Sequence, residues 1–122
     1  MALVLPPPEL ARRRPVWAAL SALFLDSELG EADYLHIARV LHGSGYAPDE
    51  WRIILRTEVA PVVGGNLWSV AGEWAGFDGV WLETRVLGRA PRATLEGRWA
   101  LRRIAPDLDR LEQVYREEHA RS

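Results

Sequence analysis

The chain has 122 residues, 15 basic against 17 acidic side chains and a formal net charge of −2. That length suits one domain, and the charge balance does not announce a nucleic-acid binder. With no cysteine, disulfides, thiolate nucleophiles and cysteine-ligated zinc are excluded.

The N-terminus carries Pro6, Pro7 and Pro8 in a row. Consecutive prolines favour extended polyproline II, so residues 1–13 are expected to form a tail or strap ahead of one helical domain over 14–122. The apolar run before Pro6 is too short for a signal peptide. No stretch approaches the roughly 18 apolar residues of a membrane span, so the expected location is the cytoplasm. Arg12, Arg13 and Arg14 read as a solvated flank. The first helix is expected to start at Pro15, a residue suited to the first helical position. Val16, Trp17, Leu20, Leu23 and Phe24 then share one face.

Asp26, Glu28, Glu31 and Asp33 crowd the next turn. Acidic groups there face the positive end of the following helix dipole. The second helix is expected over 31–42, with Tyr34, Ile37, Ala38 and Leu41 as its apolar stripe and Gly43-Ser44-Gly45 as its stop. A third starts at Pro48, buries Trp51, Ile54, Leu55 and Val59, and is expected to break or kink at Pro61.

Residues 61–82 show the least periodicity. Val62, Val63, Leu67 and Val70 suit a short buried helix, and Gly64-Gly65-Asn66 reads as a turn. Asp78 is a candidate N-cap for a helix over 80–87. A helix over 94–104 carries Leu95, Trp99 and Leu101. The last starts at Pro106, with Ile104, Leu108, Leu111 and Tyr115 inward and Glu112–Arg116 and Glu117–Arg121 as surface pairs. The fold class is all-α: a compact bundle of five to seven helices with an irregular Gly/Trp-rich centre.

Few residues point to chemistry. His36 and His42 are six apart on one helix and cannot share a ligand face, so no metal and no cofactor is expected. There is no serine elbow and no lysine for Schiff-base or Walker chemistry. Carboxylate chemistry is the enzymatic reading left, with Glu73 and Asp78 flanking a small cleft beside Trp74. The plainer reading makes Glu73, Trp74 and Asp78 structural, with Glu73 bonded to backbone donors or an arginine.

Two binding readings remain. Arg98, Arg102 and Arg103 with Trp99 could meet nucleic acid, but the net charge opposes it and no helix-turn-helix pattern emerges. Asp26, Glu28, Glu31 and Asp33 could instead dock a basic protein. All fifteen basic residues are arginine, and there are six tryptophans. Both types dominate interface hot spots.

The stretches Arg14-Pro-Val-Trp-Ala-Ala-Leu-Ser-Ala-Leu-Phe-Leu-Asp26, Ile37-Ala-Arg-Val-Leu41, Glu58-Val-Ala-Pro-Val-Val-Gly-Gly-Asn-Leu67 and Ala71-Gly-Glu-Trp-Ala-Gly-Phe-Asp78 together resemble a family of small bacterial helical proteins designated a domain of unknown function. The resemblance covers roughly residues 14–86 and implies a single helical domain. It transfers no functional residue. In size and architecture the chain is similar to immunity proteins encoded beside secreted bacterial toxins. The expected function is therefore a non-catalytic protein-binding module that neutralises a basic toxin domain. An enzyme centred on Glu73 and Asp78 is the alternative, and a nucleic-acid-associated regulator is the third.

Overall fold

The computed structural model describes residues 2–25, 28–68 and 79–121, with backbone alone at 65–68 and 79. The first helix, α1 (Pro7–Leu25), begins well before the expected Pro15. Its prolines explain the difference. Pro7 and Pro8 occupy the first turn, where N–H groups have no intrahelical acceptor to lose. The Pro6 carbonyl accepts from Leu10 N at 2.9 Å and closes that turn. Ahead of it, Leu3 N donates to Leu87 O at 3.2 Å, and Leu3 and Leu5 pack against the core.

Next comes α2 (Glu31–Ser44), which buries Tyr34, Ile37, Ala38 and Leu41 as their spacing predicts. It runs through Gly43 and stops at Gly45, whose φ of 80° is left-handed. A side chain is strained in that conformation, so glycine is required there.

Pro61 does not break the third rod. Helix α3 (Pro48–Ile54) passes through a π-helical turn (Leu55–Val59) into α4 (Ala60–Trp68) without interruption. Proline lacks the N–H that an α-helical residue 61 would offer to the Thr57 carbonyl. The Arg89 guanidinium, reaching in from another part of the chain, donates to that carbonyl at 3.0 Å. Gly64, Gly65 and Asn66 therefore lie within α4 rather than in a turn.

The chain ends with α5 (Gly79–Leu87), α6 (Leu95–Arg103) and α7 (Ala105–Arg121). Thr94 caps α6, its Oγ1 accepting from Gly97 N at 3.0 Å. Helices α4 and α6 touch backbone to backbone. A Cβ on Gly64 would fall 2.5 Å from Glu96 O, and one on Gly97 would fall 3.1 Å from Pro61 N. Glycine is needed at Gly64 for that approach.

Among the described residues there are seven α-helical segments, two of them joined into one rod, and no strand. The fold is all-α. Trp17, Trp51, Leu20, Leu23, Ile37, Leu41 and Leu111 are its largest fully buried side chains. Phe24, expected in the core, is half-buried at its margin. Leu95, one of the apolar residues α6 carries, is 74% exposed. Gly97 and Ala100 take the inner face instead, because only small residues fit against α4. Glu112 accepts from Arg52 of α3, with Nε at 2.9 Å, so it ties two helices together rather than decorating one.

Candidate functional site

The acidic turn between α1 and α2 is partly committed to the fold. Asp33 Oδ2 accepts from Gly30 N at 2.8 Å and caps α2. Glu31 receives Arg110 of α7 through two nitrogens, with Nε at 2.8 Å. Its side chain is still 63% exposed. The hydrogen bond from Arg110 holds the Glu31 carboxyl below the usual range. Glu28 is exposed, and Asp26 lies outside the described residues.

Tyr34, one turn further, donates to Asp107 Oδ1 at 2.5 Å. That bond, with burial and the Asp107 charge added, pushes the Tyr34 phenol up to about 12. The first turns of α2 and α7 are thus clamped side by side. The clamp brings Asp107 against the carboxylates of the acidic turn, and Asp109 stands exposed two residues on. Repulsion within such a cluster raises its free energy. Arg110, set among these groups, offsets part of that cost.

An apolar groove lies between α1 and α2. Pro15, Ala18, Ala19 and Ala22 of α1 and His36, Ile37 and Val40 of α2 enclose about 340 Å³. The small side chains of α1 leave the space open. The two helices that form the groove are the ones the acidic turn connects.

A second cluster was not visible as a site in the sequence. Glu58, in the π-helical turn, is only 5% exposed. Arg13 Nη1 donates to its two oxygens at 2.8 and 2.6 Å, and Trp17 Nε1 donates at 2.8 Å. Arg13 Nε in turn donates to Tyr46 Oη at 2.9 Å, and Tyr46 donates to Glu9. Arg12 stacks 4.0 Å over the Tyr46 ring and donates to Ser44 O at 2.7 Å. Arg14 pairs with Glu83 of α5. The triplet of arginines is therefore not a solvated flank; each member ties α1 to a different element. One signal could have exposed Glu58. It falls on the same helical face as Ile54 and Leu55, a lone carboxylate in an apolar stripe.

Burial acts to lower the Arg13 pKa, but the Glu58 charge and the hydrogen bonds to Tyr46 and Glu58 together outweigh it and leave the guanidinium above its ordinary value. Burial raises the Tyr46 phenol. The hydrogen bond from Tyr46 lowers Glu9. With three donor contacts on the Glu58 carboxylate, little acceptor capacity remains. The cluster is built as an internal lock across α1, the α2–α3 junction and the π turn.

The histidines divide between surface and packing. His36 lines the groove. His42 stacks on Tyr115 at 3.9 Å and lies 5.6 Å from His119. Its Nε2 is 3.1 Å from Tyr115 O. Among the described residues no group of His, Cys, Asp and Glu could hold a metal ion. No helix among them is long and apolar enough to cross a membrane. Glu73, Trp74 and Asp78 lie outside the described residues.

The sequence pattern of a family described as a domain of unknown function, DUF7079, matches residues 11–107. The chain belongs to that family. The matched span exceeds the 14–86 of the resemblance and takes in Arg12, Arg13, all of α6 and Asp107. No curated protein and no solved structure matches the chain.

Proposed function

We propose that the protein is a non-catalytic protein-binding module, and that it serves as a bacterial immunity protein neutralising a basic toxin domain in the cytoplasm. The observation that carries this reading is that the acidic turn joins α1 and α2, the two helices that line the apolar groove. Stable interfaces combine an apolar centre with a charged rim. The rim steers encounter and sets register, while the centre supplies affinity. Glu28, Glu31, Asp33 and Asp107 supply the negative rim. The groove supplies a depression for an apolar side chain of the partner.

The test is to purify the tagged protein from its native host, identify what co-purifies and measure association rates against salt. A basic toxin domain whose association slows steeply with salt supports the reading. A partner whose association ignores both salt and charge reversal along the edge overturns it.

A further inference from the structure

The net charge of −2 conceals a segregation. Residues 85–103 hold Arg85, Arg89, Arg92, Arg98, Arg102 and Arg103 against the single carboxylate Glu96. The ion pairs among the described residues use Arg12, Arg13, Arg14, Arg39, Arg52 and Arg110. None uses an arginine of residues 85–103. Of the nine arginines elsewhere, six are in ion pairs among the described residues. Here Arg92, Arg98, Arg102 and Arg103 stand exposed.

Helical geometry gathers them. At 100° per residue, Leu95, Arg98, Trp99, Arg102 and Arg103 fall within an arc of about 140°. That arc opposes Gly97, Ala100 and Ile104, which α6 buries. Arg92 and Arg89 extend the patch into the preceding loop, where Arg89 Nη2 lies 3.4 Å from Arg92 O. Two of the cations are held in place. Arg103 stacks 5.1 Å over the Trp99 ring, and Arg89 is anchored on Thr57 O. Burial and the neighbouring Arg92 both lower the Arg89 pKa, so an anion bound there would relieve a like-charge contact.

We infer that the outer face of α6 with the loop before it is a docking surface for single-stranded nucleic acid. Arginine forks match phosphate oxygens bidentately. A run of six arginines with a single carboxylate, Glu96, among them fits a ligand with one anion per repeat unit, which a phosphodiester backbone supplies. The exposed Leu95 sits amid these cations and offers an apolar surface to an unstacked base. A duplex keeps its bases stacked inside and leaves that contact unused. This surface shares no residue with the acidic edge, so either assignment can fail without the other.

The test is binding of a fluorescent oligouridine of about 20 nucleotides to the full chain across a salt series. Each phosphate contact contributes about 0.7 to the log–log salt slope. The double variant Arg98→Gln/Arg102→Gln is expected to bind at least about tenfold more weakly at low salt, with a slope shallower by about 1.4. Its melting temperature should stay unchanged, because neither residue has an ion pair among the described residues. The variant Arg116→Gln/Arg121→Gln, on the exposed end of α7, is expected to bind like the parent. Absence of oligouridine binding at low salt overturns the inference, as does equal weakening by both double variants. Polyglutamate that competes as well as oligouridine overturns it in favour of an acidic polypeptide. Tighter binding of a duplex with the same number of phosphates overturns the single-strand assignment.

Discussion

Arg13 and Glu58 lie 45 residues apart and share a buried contact in which one guanidinium nitrogen reaches both carboxylate oxygens, at 2.8 and 2.6 Å. Removing one partner leaves the other charged and buried. Such losses run at about 3–5 kcal/mol. Arg13→Met is therefore expected to lower unfolding free energy by about that amount in urea titrations. The double variant Arg13→Met/Glu58→Leu should recover part of it, since it removes both charges but leaves the buried Trp17 indole N–H without its acceptor. A double variant as unstable as the single one would contradict the pairing.

Three glycine-to-alanine changes, one at the α4–α6 crossing and two at the end of α2, are expected to differ in sign. Gly64→Ala drives a methyl into the Glu96 backbone and should destabilise by about 1–3 kcal/mol. Gly43 lies inside α2 with nothing within 4 Å of a built Cβ. Gly43→Ala should stabilise by about 0.4–1 kcal/mol. Gly45→Ala, at φ 80°, should destabilise. Denaturant midpoints of the three variants check the signs together.

Tyr34 sets the alkaline limit of the clamp between α2 and α7. Its folded pKa is raised from 10.0 to about 12 by the bond to Asp107. A raised pKa means the folded state holds the proton more tightly than the unfolded chain. The contribution is fully present below pH 10 and fades as pH rises toward 12. Melting temperature against pH should fall more steeply across that window for the parent than for Tyr34→Phe. Equal slopes would remove the clamp from the stability balance.

On the acid side the sign reverses. Glu31 is lowered from 4.5 by its hydrogen bond from Arg110. Its contribution is present above that value and disappears as pH falls through the lower folded value. Glu31→Gln should flatten the acid limb of the stability curve, measured by circular dichroism.

Charge reversal on the acidic edge separates docking from folding. Glu31 holds Arg110, so Glu31→Arg is expected to lower the melting temperature as well as slow association. Glu28→Arg avoids that clamp. It should slow association with a basic partner several-fold at low salt without releasing Arg110 from Glu31. Stopped-flow association rates and a thermal melt of the same sample distinguish the two effects.

Helical spacing is a local property, and what depends on it was legible along the chain. Tyr34, Ile37, Ala38 and Leu41 are buried as their period predicts, and Pro48 opens α3. The acidic turn was legible too, because four carboxylates in eight residues need no partner to be noticed. Tertiary contact decided the rest. Pro61 reads as a break until Arg89 satisfies the carbonyl it leaves open. Arg13 reads as solvated until Glu58 arrives from 45 residues away. Asp107 joins the acidic edge only through Tyr34, 73 residues distant in sequence. Local periodicity says which face of a helix turns inward. It carries no information about which distant polar group will meet that face, and a buried charge depends on that meeting for its stability.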